Sequence, residues 1–305
     1  NHLAGGKPWD MSRRSGGMQI LPPFGLPEYH RGNYAGTMEA LNAVSSYIKD
    51  INAKYVVLML GNICANIDLT EPMKQHVASG AEITAICANG NPDGCRIAYA
   101  VDAEGYVSEM LIDTEAEEGE LASLEAYIIN KETLLKMMNF ALKRNLYRFH
   151  NDSMRIWLNN GGKMATYVHD GYTSIIRTVE AYNKASMDML DKDKRHDLFA
   201  ADRPVFTKTK EEVSTYYSVE AVSRNSLVAD NCIIEGSIEN CILFPRARIA
   251  KGAVLKNCII MQDCQIEEGV HLENCILDKQ AIIKRNARLI GPAAYPIVIA
   301  KNVVI

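Results

Sequence analysis

Few residues in this chain have the type and spacing that chemistry asks for. Gly36-Thr37 opens a run with helical spacing; a glycine and a hydroxyl there can form a turn and a helix cap, or let a ligand approach the backbone. Gly61-Asn62 ends the apolar run 55–60, and the end of a buried strand is where doubly wound sheets place ligands as well as where plain turns occur. Arg13-Arg14 can hold an anion or stand as a solvated charge pair. His150, His169 and His271 share no triad or metal-ligand spacing and read as surface or structural residues. The eight cysteines contain no Cys-x-x-Cys pair and no Cys/His cluster with zinc spacing. They read as small buried hydrophobes in a reducing compartment, which predicts a cytoplasmic protein. No catalytic residue, metal ligand or cofactor is assigned on these grounds.

The elements that position these residues fall into two parts. At 305 residues and 33.9 kDa, two domains are expected. With 48% apolar and 23% charged residues the chain has the composition of a folded protein with a sizeable core. A net charge of −4 and a pI near 6.0 give no basic field for nucleic acid or an anionic membrane. The apolar runs fall short of the roughly 20 residues that span a bilayer, and no charged-then-apolar leader opens the sequence, so export is not expected.

Residues 1–190 read as alternating strand and helix. Thr37 caps a helix to about residue 54, with Leu41, Val44, Ile48 and Ile51 on one face. The run 55–60 suits a buried parallel strand, and with a helix near 71–79 and a strand over 82–87 it makes a βαβ unit. Asn91-Pro92-Asp93-Gly94 and the turn 102–105 punctuate a hairpin pair. Residues 131–144 are amphipathic, with Leu134, Met137, Met138, Ala141 and Leu142 toward the core. A last helix over 173–190 precedes a charged, Pro-containing linker at 191–210, so the domains are expected at 1–200 and 201–305.

The last third counts in sixes. Asn-Cys-Ile recurs at Asn231, Asn240, Asn257 and Asn274, the last two intervals both being 17 residues. A small residue pairs with an aliphatic one two positions on, from Cys241/Leu243 through Ala253/Leu255, Cys258/Ile260 and Cys275/Leu277 to Ala287/Leu289. The aliphatic members step by 6, 6, 5, 6, 6, 5, 6 and 6, with a slip near Gly236 upstream. Three steps make one coil of a parallel β-helix of hexapeptide repeats. Both members of a pair point inward because residues two apart on a strand share a face. About four coils fit between Ser226 and Leu289.

Taken in order, these motifs resemble those of ADP-glucose pyrophosphorylases (glucose-1-phosphate adenylyltransferases). Gly6-Lys7-Pro8-Trp9-Asp10, then Gly16-Gly17 and Ile20-Leu21-Pro22-Pro23, look like the loop crossing the sugar-nucleotide site in that family. Tyr34-Ala35-Gly36-Thr37-Met38-Glu39-Ala40 resembles Tyr-x-Gly-Thr-Ala-Asp-Ala. Residues 182–190, Tyr-Asn-Lys-Ala-Ser-Met-Asp-Met-Leu, resemble Tyr-Trp-Glu-Ala-Asn-Met-Asp-Leu-Leu at the end of the catalytic domain. The resemblance implies an α/β fold: a Rossmann-like (GT-A-like) nucleotidyltransferase domain whose front part, with its first strand and Gly-rich loop, has no counterpart here, then a left-handed parallel β-helix.

The resemblance also implies a reaction joining ATP and glucose 1-phosphate with release of pyrophosphate, which needs magnesium held by carboxylates. Several of the expected residues differ. Gly-Asp-His reads Gly61-Asn62-Ile63, and an amide lacks the anionic oxygen that magnesium prefers. Alignment on Thr178 and Tyr182 puts Ile175 where Arg-Asp-Val-Gly-Thr has its aspartate, with Asp170 five residues upstream. The lysine of Phe-x-Glu-Lys-Pro is missing from Asp113-Thr114-Glu115-Ala116, ahead of Leu121-Ala122-Ser123. Phe149-His150-Asn151-Asp152 replaces a sugar-binding His-Asp-Phe-Gly. Tyr34, Gly36, Thr37, Gly61, Asn62 and Ser123 remain as candidate remnants of a substrate pocket.

The expected function is a regulatory, GlgD-type subunit in glycogen biosynthesis with little activity of its own. It would associate with a catalytic homologue, with itself, or both, and could keep a sugar-phosphate or nucleotide ligand. The alternatives are an active adenylyltransferase, which would use magnesium and ATP, and a hexapeptide acyltransferase using His271. Solution mass separates the last, since those enzymes are trimers with a histidine between neighbouring β-helices.

Overall fold

The computed structural model describes residues 3, 5–13, 16–21, 34–88, 90–207 and 212–305. Arg14, Pro22, Pro23 and linker residues 208–210 lie outside the described residues. The chain forms two compact units, Asn1–Ile175 and Ile176–Ile305.

In the first unit, α1 (Thr37–Ala43) and α2 (Ser45–Asp50) precede β1 (Tyr55–Met59) and β2 (Ile63–Ala65). Next come α3 (Thr70–Ser79), β3 (Ile83–Ala88), β4 (Ile97–Val101), β5 (Val107–Ile112), β6 (Leu121–Asn130) and α4 (Lys131–Leu142). A π-helical turn, Phe149–Met154, runs into α5 (Arg155–Asn159), followed by β7 (Met164–His169) and β8 (Thr173–Ile175). The main sheet has the order β5-β4-β6-β3-β7, with β1 also on β6. It is mixed: β3 and β7 are parallel, and β6 runs antiparallel to β1, β3 and β4. β3 is buried along its whole length and β6 at all but its two ends.

Four local expectations change. The helix from Thr37 breaks at Val44 (φ −108°, ψ 18°), and its cap is Gly36, not Thr37. The Glu39 carboxylate accepts from the Ala35 backbone N–H instead, doing at the third helical position what Thr37 does not do at the first. β1 is antiparallel to β6 and leaves Val57 and Met59 exposed; it and β3 are parallel to each other but separated by β6. Leu142, at the end of α4, is exposed, whereas Leu134, Met137, Met138 and Ala141 are buried. Residues 173–175 are strand rather than helix, because β8 pairs with β2. The hairpin turn at 102–105 closes through Asp102, whose Oδ1 accepts from the Glu104 and Tyr106 N–H groups, both at 2.9 Å.

The second unit begins with α6 (Val179–Asp188), capped by the Thr178 hydroxyl accepting from Ala181 N–H at 3.2 Å. Burial, with Asp278 of the β-helix as a lesser cause, pushes the Tyr182 pKa up. The expected linker contains α7 (Lys192–Leu198), because Asp191 accepts from Asp193 N–H at 2.8 Å and Lys194 N–H at 3.3 Å and so caps it. No described helix is long and apolar enough to cross a membrane.

Beyond α7, three faces of short parallel strands form the β-helix, each face a five-stranded sheet. Four rung-to-rung steps carry the chain from Tyr216–Tyr217 to Ile282–Ile283. The paired small and aliphatic residues point inward, and from Cys232/Ile234 to Ala281/Ile283 nearly all are fully buried. The slip is a corner two residues short: Ile233 pairs with Arg248, 15 positions on, while Arg248 pairs with Gln265, 17 on. Gly236 makes that corner possible, since a Cβ there would stand 2.4 Å from the Ala253 carbonyl oxygen.

Cys241, Cys258 and Cys275 stack on successive coils, and all eight cysteines are free thiols. Hydrogen bonding to Cys241 and Cys275, together with burial, pushes the Cys258 thiol up. The recurring asparagines are turn residues. Asn225, Asn240, Asn257 and Asn274 have φ of 40–52° and form a side-chain ladder, each Nδ2 donating to the next Oδ1 at 2.7, 3.2 and 3.1 Å. Asn231 belongs to a different corner and donates to Glu212.

Two effects therefore act at Asn257, a left-handed backbone and a ladder of amides. Asn257→Ala is expected to cost about 1–3 kcal/mol in urea unfolding. Asn257→Gly, free of the backbone strain, should cost less; equal losses would mean the ladder alone matters.

Candidate functional site

The sheet positions the candidate residues where β1 ends and β6 bulges. Met59 faces Ala126 in the last β1–β6 pair, and Gly61-Asn62 turns away just beyond. On the other side of β6, pairing with β3 jumps from Ala126 to Ser123, which leaves Leu124 and Glu125 as a bulge. Glu125 is buried with φ of 52°, a left-handed backbone held by its surroundings.

A hydrogen-bonded network lies behind this bulge. The Tyr127 hydroxyl is 3.0 Å from the Tyr99 hydroxyl, 3.2 Å from Ser123 Oγ and 3.0 Å from His150 Nε2. Ser123 Oγ also donates to Tyr99 at 3.3 Å and accepts from Glu125 N–H at 3.1 Å. Burial pushes both tyrosine hydroxyls up, so they stay protonated. Burial pushes His150 down to about 4, so its ring is neutral at pH 7. The Glu125 carboxylate stands 3.9 Å from His150 Nδ1, beyond hydrogen-bond reach.

Gly36 joins this region through the backbone. A Cβ at Gly36 would lie 2.2 Å from the Tyr147 carbonyl oxygen, which accepts from Met38 N–H at 3.0 Å. The start of α1 is thus held against the segment leading into His150. Tyr34 is half-buried and Thr37 exposed on either side of that contact. Asn62 sits beside the β2–β8 ladder, where Ile63 pairs with Ile175. Ile175 is fully buried against Cys95 and Ala122, and its backbone N–H donates to Asp93 O at 3.1 Å.

The sequence is similar to those of known proteins. A hexapeptide family described as GlmU-like, C-terminal, matches residues 211–293. Glucose-1-phosphate adenylyltransferase of Geobacillus stearothermophilus is 28% identical over 260 residues, 84% of this chain and 67% of that protein. The enzyme of the same name from Clostridium botulinum is 27% identical over the same shares. The glycogen biosynthesis protein GlgD of Bacillus subtilis is 30% identical over 304 residues, the full length of this chain and 78% of GlgD. The chain belongs to the glucose-1-phosphate adenylyltransferase family.

Within that family, the geometry bears on the magnesium that the resemblance implies. The two positions that the resemblance sets against its carboxylates do come together, through Asn62 next to the Ile63–Ile175 pair. They hold one neutral amide and one buried aliphatic chain, which do not fit a cation that takes anionic oxygens. Asp170, the other carboxylate nearby in sequence, is exposed beyond β7, and among the described residues no three His, Cys, Asp or Glu side chains converge. The segment 113–120, where a lysine was expected, carries Asp113, Glu115, Glu117, Glu118 and Glu120 and no basic residue. Arg13 pairs with Asp10 at 3.1 Å at the surface.

Of the candidates, Ser123 and Gly36 are tied to the His150 region, and Gly61 and Asn62 to the neighbouring strand end. Sequence reading missed Glu125 and Tyr127. The visible signal was a single acid within the buried run 121–130. His150 was read as structural, and its tyrosine partner could not be inferred.

Gly36→Ala forces a methyl into the Tyr147 carbonyl and is expected to lower stability by about 1–3 kcal/mol, measured by urea unfolding. His150 gives a pH signature. Between pH 6.5 and about 4 the unfolded ring binds a proton that the folded one does not, so stability falls as pH falls through that window. The loss approaches about 3 kcal/mol at pH 4. His150→Gln should remove this share of the difference between pH 7 and pH 4.5, leaving a flatter profile than the parent.

Proposed function

We propose that this chain is a subunit of a glucose-1-phosphate adenylyltransferase assembly in glycogen biosynthesis, and that it regulates rather than catalyses. The observation that carries the reading is the pair of neighbouring positions Asn62 and Ile175, an amide and an aliphatic chain where the resemblance expects carboxylates. The acidic segment 113–120 supports it, since five carboxylates repel the anionic phosphates that a lysine would attract. The relatives' names support the setting: GlgD is a glycogen biosynthesis protein and the others are adenylyltransferases.

The β-helix is the part suited to assembly. Its interior repeat is intact over every coil while the catalytic positions have changed. The partner is a catalytic homologue, joined in a hetero-oligomer. Coupling arises if partner and ligand favour one arrangement of the chain, each biasing the other by about 1–3 kcal/mol.

The test is to assay this chain and a catalytic homologue separately and mixed. Negligible ADP-glucose formation by this chain alone is expected, with a change in the partner's kcat or substrate affinity on mixing and co-elution at micromolar concentration. Asn62→Asp returns one anionic oxygen to the end of β1 and is the variant in which magnesium-dependent turnover should first emerge. Turnover by the parent chain comparable to the homologue's overturns the reading, as do unchanged rates without co-elution.

A further inference from the structure

One face of the β-helix carries an ordered row of charges. Its strands are Val222–Arg224, Ser237–Glu239, Val254–Lys256, His271–Glu273 and Arg288–Ile290, all parallel and in register. Ile238, Leu255 and Leu272, in the middle of three of these strands, are buried in the solenoid interior. The residues on either side of them therefore point outward. The register sets Arg224, Glu239, Lys256 and Glu273 in one outward row, one residue per coil. Read along the solenoid, the signs are plus, minus, plus, minus.

Pairing within the chain uses little of this row. Glu239 and Lys256 approach only to 3.7 Å, with side chains 42% and 48% exposed. Arg224 and Glu273 make no ion pair among the described residues. The second row on the same face begins Val222, Ser237, Val254 and His271 and contains no carboxylate.

We infer that this face pairs with the same face of a second copy of the chain, the two solenoids running antiparallel. A two-fold axis along the strands reverses the row, as an isologous contact requires. Arg224 then meets the partner's Glu273, and Glu239 meets the partner's Lys256. Each contact occurs twice, so four pairs of opposite charge cross the interface. A slip of one coil in either direction sets like charges against each other. A parallel arrangement sets Arg224 and Lys256 against the row that has no carboxylate. The antiparallel register alone satisfies the whole row, and it places only Val222 against the partner's His271 and Ser237 against the partner's Val254 beside it.

Neighbouring strands lie about 4.8 Å apart, so five coils give a face smaller than the roughly 800 Å² per partner of a stable interface. The dimer is accordingly weak, and salt screens its attraction. The inference uses none of the residues on which the regulatory reading rests and needs no catalytic homologue.

The experiment is sedimentation equilibrium of the full chain, from micromolar to sub-millimolar concentration, at low and high salt. Self-association that weakens with salt is expected. Glu239→Lys and Lys256→Glu each turn two attractive contacts repulsive and should each weaken association by about tenfold or more. Mixing the two single variants should restore it, because each then offers the charge that the other lacks. The mixture leaves the repulsion inside each chain untouched, so its recovery reports the contact between chains alone. The double variant keeps both the pair within the chain and the pairs across the interface, and should associate like the parent. Absence of self-association by the parent overturns the inference. So does association of the single variants equal to the parent's, or a mixture no better than either variant alone.

Discussion

The Tyr127 hydroxyl sits in the middle of the first unit's sheet and must find partners there, because a buried hydroxyl cannot return to water without opening the core. Three groups converge on it within 3.2 Å: Tyr99 from β4, Ser123 from the same strand, and His150 from the π-helical turn. Satisfying them fixes much else. Ser123 and Tyr127 share a face of β6, and the bulge between them draws the two side chains within reach of each other. The π-helical turn must present a neutral imidazole, and the segment before it must lie close enough to α1 that only glycine fits at position 36. A network of this kind is costly if one member is missing, which ties α1, β4, β6 and the turn into one unit.

That constraint changes the meaning of the family resemblance. Ser123 and the His150 segment keep their places in the order of motifs, yet their polar atoms are bonded to one another inside the protein. At the neighbouring strand end β2 and β8 bring residues 62 and 175 together. What differs is side-chain chemistry, an amide and an aliphatic chain where anionic oxygens are expected, and an acidic segment where a cation is expected.

The two units answer to different physics, and so differ in how legible they are. In the β-helix, each corner admits one small and one branched side chain, and each left-handed turn favours asparagine or glycine. These rules act within six residues, so the repeat, the inward pairs and the short corner at Gly236 could all be read from spacing. The same locality explains the stacked cysteines, which are simply the small residue of successive corners.

In the α/β unit the decisive contacts are distant in sequence. The sequence by itself determined the β-helix, the family and the main helices, because these depend on residue type and local period. Only the tertiary structure decided that β1 pairs antiparallel with β6, that residues 173–175 form a strand against β2, and that Glu39 rather than Thr37 serves the start of α1. It also decided that Ser123, Tyr127 and His150 share one network. A strand's partner and a buried group's neighbours are set by which surfaces meet when the chain closes on itself, and no local period encodes that meeting.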